Sequence, residues 1–220
     1  MKNIIEDFFK AYCSDDTNVT AVYRNVPKEM MASAVSESGW FSWTPIKGTL
    51  DYDDYKKVEQ KFNVVFPKSF IEWHKTYFFL SCDCSIIRLP FSDPGKPIGE
   101  VIDELNNDMA KELIEMGLYP FGQDGNDGGP FVFDARLEVE NNEFPIRFFD
   151  TGLNEVSEIL FSSFPKLLEC LTHFLTSNGP GGYEAIHDFF AIDPEGAGKT
   201  GVDYWLELAN AMKWEYEQED

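Results

Sequence analysis

The run of residues 117–134, GLYPFGQDGNDGGPFVFD, constrains the fold more than any other part of the chain. Leu118, Tyr119 and Phe121 lie toward its start, and Phe131, Val132 and Phe133 lie toward its end. Gly122, Gly125, Gly128 and Gly129 fall between them. Glycine reaches positive φ without steric cost, and Asp124, Asn126 and Asp127 tolerate left-handed geometry while bonding to nearby backbone. Apolar segments separated by such a turn predict a β-hairpin. Downstream, residues 145–150 read as a further strand of the same sheet, and residues 163–175 as a helix.

The rest of the chain supplies helices on either side. Ile4, Ile5, Phe8, Phe9 and Tyr12 recur at helical spacing and predict an amphipathic helix over residues 1–12. Residues 27–38 read as a second helix, with Pro27 at its start and Gly39 beyond its end. Residues 40–48, WFSWTPIKG, form an aromatic linker expected to pack on the core. Residues 77–80 and 85–89 look like short strands around a turn. Val101, Ile102, Leu105, Met109, Leu113 and Ile114 predict one helix over residues 98–116. Strands follow at 118–124, 130–137, 145–150 and 156–161, then helices at 164–176, 182–190 and 202–217. Helices first, strands in a block and helices last define an α+β fold, a mostly antiparallel sheet packed with N-terminal and C-terminal helices.

Upstream of the sheet, residues 54–73, DYKKVEQKFNVVFPKSFIEW, read as two helices joined by a short apolar segment. Val58 and Phe62 stand four residues apart, Val65 and Phe66 lead into Pro67, and Pro67 suits the first helical position, where its missing N–H is not needed. With the hairpin and the helix after it, this order resembles the SUKH superfamily, which includes fungal cell-wall-synthesis regulators and bacterial immunity proteins. The similarity spans about residues 40–178. It implies one domain over residues 1–220, with residues 1–48 as a helical extension packed on the core and 215–220 as an acidic tail. It also implies a protein that binds other proteins and performs no known chemistry.

Composition narrows the partners. Hydrophobic residues make up 43% of the 220, including 20 Phe, so a sizeable core is expected. The N-terminal residues place two acids before any apolar run could form, unlike a secretory leader. No apolar stretch approaches the roughly 20 residues a membrane helix needs. Four cysteines are too sparse for a disulfide scaffold, which points to a reducing cytoplasm. The net charge of −21 is uneven: residues 1–110 hold 12 Lys and Arg against 17 Asp and Glu, whereas residues 111–220 hold 6 against 22. Nucleic-acid binding is disfavoured, because it needs a positive surface that displaces counterions from phosphates. The acidity serves either solubility or the steering of a basic partner, and composition alone does not choose.

Several motifs tempt a chemical reading. Gly196-Ala-Gly-Lys-Thr200 resembles the end of a phosphate-binding loop, but Asp193 stands where its first glycine belongs and Pro194 removes a donor. A flexible loop leading into the last helix is expected there. The acidic turn at 124–129 hints at a calcium loop, but Gly128 and Ala135 occupy two of its ligand positions. A hairpin turn is expected, with a weak cation site as the alternative. Asp51, Asp53 and Asp54 resemble a metal–sugar motif, yet they also precede a helix and suit its positive end. Cys82 and Cys84 lack a second Cys/His pair for zinc. His74, His173 and His187 are isolated in sequence.

The resemblance and the acidity together lead us to expect a cytoplasmic immunity protein that neutralises a basic toxin domain, such as a nuclease, with no enzymatic activity and no cofactor or metal. The alternative is a regulatory protein–protein interaction module without a toxin partner. The expected contacts are carboxylates of the hairpins and turns, Asp124, Asp127, Glu138, Glu140 and Glu143, with aromatic neighbours as anchors. Each could equally be a solvated rim carboxylate.

Overall fold

Helix α1 (Lys2–Tyr12) buries Ile5, Phe8, Phe9, Ala11 and Tyr12, the face its apolar spacing predicts. Phe9 stacks on Trp73 with ring centroids 6.3 Å apart, and Phe8 meets the same indole edge-on. The opening segment therefore packs on the core. The computed structural model describes residues 1–137, 142–177 and 180–219.

Strands β1 (Thr20–Val22) and β2 (Trp40–Ser42) form an antiparallel ribbon. The helix expected over residues 27–38 shrinks to one 3-10 turn, Lys28–Met30. Serine explains the correction: Ser33 Oγ accepts the Ser42 N–H at 2.9 Å, and Ser36 Oγ accepts that of Trp40 at 3.0 Å. Such local bonds compete with the helical ladder. The aromatic linker becomes β2 and β3 (Ile46–Lys47), with Phe41 and Trp43 buried and Trp40 exposed.

Helix α2 (Tyr52–Phe62) begins with a capping box. The Asp51 carboxylate accepts the N–H groups of Asp53 and Asp54, and Asp54 returns the favour to the Asp51 N–H. This is the helix-start role expected of the acidic triplet. Helix α3 (Lys68–Thr76) takes Pro67 as its cap, one place ahead of the position expected. Strands β4 (Tyr77–Phe78) and β5 (Ile87–Arg88) join different sheets: β4 pairs with β3, and β5 with the main sheet. Cys82 and Cys84 take the place beside β5, where the Leu89 N–H donates to Cys82 O at 2.9 Å.

The single helix expected over residues 98–116 is two, α4 (Gly99–Leu105) and α5 (Asp108–Glu115). The Asn107 side chain accepts the Ala110 N–H at 2.8 Å, which caps a new helix rather than continuing the old one. Strands β6 (Leu118–Asp124), β7 (Pro130–Asp134), β8 (Ile146–Asp150) and β9 (Glu155–Val156) then complete a five-stranded sheet of order β5-β6-β7-β8-β9, every neighbour antiparallel. β7 ends earlier than expected because the Asp134 carboxylate turns back on the Arg136 N–H. Beyond β9, the strand expected over 156–161 leaves one bridge between Phe161 and Ile146.

Phe121, Phe131, Phe133 and Ile146 enter the main core, whereas Leu118, Val132 and Phe149 form a smaller cluster with Leu113 of α5. Phe70 of α3 joins helices to sheet, its ring lying within 6.0 Å of those of Phe121, Phe133 and Phe164. Helix α6 (Phe164–Thr176) packs against α1 and α3. The helix expected over 182–190 is a 3-10 stretch, Pro180–Asp188, that runs into α7 (Phe189–Ile192). Helix α8 (Val202–Glu219) carries the expected acidic tail in helical form, with Asp220 outside the described residues. No helix among the described residues is long and apolar enough to cross a membrane.

Candidate partner-binding surface

The β6–β7 turn is built by its own aspartates. The Asp124 carboxylate accepts the N–H groups of Asn126 at 3.0 Å and Gly128 at 3.1 Å. Asp127 takes left-handed geometry with φ 60°. Gly129 is required by close approach, since a Cβ there would sit 2.0 Å from the Phe149 carbonyl oxygen. From β5, the Arg88 guanidinium donates to the Asp124 carbonyl at 3.0 Å and pairs with the Asp127 carboxylate. The hairpin turn expected here is what forms.

A second turn locks beside the first. Thr151 donates its N–H and hydroxyl to the Gly128 carbonyl, at 3.0 and 2.6 Å. The Asp150 carboxylate accepts the N–H groups of Gly152 and Leu153 at 2.8 and 2.9 Å, and Asn154 completes the turn in left-handed geometry. One end of the sheet thus presents two rigid turns. Asp127, Leu153 and Glu155 are exposed there, Leu153 to 70% of its surface.

Arg88 links this end to a hollow of about 380 Å³, lined also by Phe91, Glu100, Glu104 and Gln123. Glu100 and Glu104 stand one helical turn apart on α4. Burial pushes the pKa of both carboxyls up, each raised further by neighbouring carboxylates, while the Gln123 amide bonded to Glu104 partly offsets the rise there. Neither makes an ion pair among the described residues. A cationic side chain entering this hollow would relieve that cost.

The residues expected to form the contact surface divide. Asp124 and Asp127 come together at the turn end, but Asp124 is buried and its carboxylate is engaged in its own turn. Glu143 lies beyond the opposite end of β8, half-buried, accepting from the Ser69 N–H at 3.2 Å and the Ser69 hydroxyl at 2.6 Å. Burial raises its pKa, against those two bonds. It serves α3 as a remote cap. Glu138 and Glu140 lie outside the described residues. Leu153 and Glu155 were not anticipated, although the turn-forming string Asp150-Thr-Gly-Leu-Asn154 carried the signal.

The other motifs are absorbed structurally. Asp193 is buried, and its carboxylate accepts from the Ser162 N–H, the Ser162 hydroxyl and the Gly196 N–H at 2.7, 2.6 and 3.2 Å. The segment is a bonded turn, not the flexible loop expected. Cys82 and Cys84 are buried, and burial pushes the half-buried Cys13 thiol up to about 11. Among the described residues, no group of three or more His, Cys, Asp or Glu side chains is placed to hold a metal. His74 is buried with Nδ1 2.6 Å from the Tyr55 hydroxyl, and His173 pairs with Asp188 at 2.8 Å.

In comparisons with known proteins, no family model and no curated protein matches this chain.

Proposed function

We propose that this chain is an immunity protein of the SUKH kind, a cytoplasmic inhibitor that covers a basic toxin domain and acts by occlusion rather than by chemistry. The observation that carries the reading is the pair of interlocked turns at one end of the sheet. They tie the turn that carries the exposed Asp127 to the segment that carries the exposed Leu153 and Glu155. Rigid presentation limits the conformational entropy lost on binding. The exposed carboxylate of Glu155 and that of Asp127, whose pair with Arg88 is itself exposed, steer a basic surface, and Leu153 supplies apolar area to bury once contact is made. The order helix pair, antiparallel meander, helix supports the same reading, since α2, α3, β5 to β9 and α6 follow the sequence of elements in the family resemblance.

The test is co-expression with the product of the gene neighbouring this chain's own, which the proposal expects to be a toxin. Growth should be rescued by the natural protein and lost with the double variant Asp127→Lys, Glu155→Lys. Failure of the purified proteins to associate would overturn the proposal.

A further inference from the structure

In a chain of net charge −21, one apolar groove is rimmed by lysines. It consists of two adjoining hollows, of about 440 and 500 Å³, between α2 and the pair α4 and α5. Val58, Ile98 and Ile102 floor the first; Phe62, Leu105 and Ile114 floor the second. Lys57 and Lys96 flank the first with Asp54, Lys111 flanks the second with Glu115, and Lys61 stands between them over the Phe62 ring, 4.7 Å from its centroid, so lysines outnumber acids on the rim. Lys57, Lys96 and Lys111 pair with Asp54, Asp103 and Asp108 across exposed helical surface. Such exposed pairs contribute little and exchange readily for a better partner.

The complementary surface is on the same chain. On α8, Trp205 and Ala209 face the core, which leaves Asp203, Glu207, Trp214 and Glu217 on the outer side at helical spacing. Trp214 is 63% exposed, more than any other aromatic side chain among the described residues. Tyr216 of the same turn rests against Tyr183, ring centroids 6.3 Å apart, so the end of the helix is held out with Trp214 presented to solvent. Trp214 stands beside the exposed Glu215 and Glu217, the latter loosely paired with Lys213 at 3.8 Å, so a large apolar residue with acids in excess matches an apolar groove with lysines in excess.

We propose that the lysine-rimmed groove receives the end of α8 from a second copy of this chain, in a reciprocal dimer. Trp214 enters the apolar floor, and Glu215 and Glu217 meet Lys61 and Lys111. An exchange in which each copy gives a helix and receives one closes on itself and leaves no open end. Repulsion between two acidic copies opposes the approach at long range and is screened at physiological salt, whereas contacts made at close range in the groove are screened less.

Sedimentation of the purified full chain at physiological salt, from micromolar to millimolar concentration, tests this. A monomer–dimer equilibrium is expected. Trp214→Ala should weaken it by about tenfold or more, as for a buried interfacial tryptophan, and so should Lys61→Glu with Lys111→Glu. All three positions are exposed or on the groove rim, and circular dichroism reports whether the fold survives. The charge-swapped variant, Lys61→Glu and Lys111→Glu with Glu215→Lys and Glu217→Lys, should dimerise again. A chain that stays monomeric throughout overturns the proposal, as does a dimer insensitive to all these changes. Toxin neutralisation is read separately, so its failure and the failure of the dimer are distinguishable.

Discussion

Asp134, at the end of β7, accepts a hydrogen bond of 2.7 Å from Arg147 Nε on the neighbouring strand. Its side chain is 1% exposed, and it also receives two bonds from Arg136, at 2.7 and 2.8 Å. Arg147 in turn donates to the Ser157 carbonyl at 2.7 Å, so one carboxylate ties β7, β8 and the segment after β9 together. Burial alone would raise the Asp134 pKa, but the bonds from Arg136 and Arg147 outweigh it and hold the carboxyl below its ordinary value.

Asp134→Asn should therefore destabilise the fold by about 2 kcal/mol, because it removes the charge from the hydrogen bonds that hold the partly buried Arg147. A depressed native pKa gives stability that is present above the unfolded carboxyl's pKa and lost as pH falls through the native value. Urea melts below pH about 4 should show that loss in the natural chain and not in the variant.

His74 predicts a second acid transition at higher pH. Burial lowers its pKa from 6.5 to about 4, against a backbone contact with Phe91. The unfolded chain therefore takes up a proton before the native one does. Stability should fall by on the order of 3 kcal/mol as pH drops from about 6.5 to about 4. His74→Phe should flatten the pH dependence over that interval, whatever it does to the absolute stability through the unpaired Tyr55 hydroxyl. An unchanged slope would show that the imidazole is not the group responsible.

Glu104 carries the opposite sign. Its native pKa is raised, so the stability associated with its protonated form is present below the unfolded pKa and lost as pH rises through the native one. Glu104→Gln keeps an acceptor for Gln123 and removes the buried charge. It should raise the melting temperature at neutral pH, with no gain in acid, and should weaken association with a basic partner.

Under the proposed function, association with the toxin domain should slow markedly between low and physiological salt while dissociation changes less. Reversing Asp127 and Glu155 together should lower the on-rate more than two reversals within residues 1–50. Glu143 is unsuited to this test, since lysine there would break the Ser69 bonds at the start of α3. Equal on-rates for all variants would reduce the acidic half to a solubility feature.

Local chemistry made much of this protein legible before folding was considered. Asp127 and Gly129 specified a hairpin turn because few other residues reach its positive φ, Gly125 specified a close approach where a Cβ would sit 1.7 Å from the Ser85 carbonyl oxygen, and the spacing in residues 1–12 specified the buried face of α1. Legibility failed where polar side chains chose between two backbone partners. Ser33 and Ser36 bond to the backbone of β2 rather than permit a helix, and Asn107 splits one apolar run into α4 and α5.

The partner surface divided in the same way. Sequence alone determined that the second half of the chain is acidic and that Asp127 sits in a turn. Only the tertiary structure decided which carboxylates are available, because that depends on groups distant in the chain. Asp124 is engaged by its own turn, Glu143 by Ser69 from 74 residues away, and Asp134 by Arg147 across the sheet. Thr151 meeting Gly128 ties the turn that carries Leu153 to the turn that carries Asp127. Charge is a property of composition, whereas exposure is settled by which hydrogen-bond donors the fold brings within 3 Å of each carboxylate.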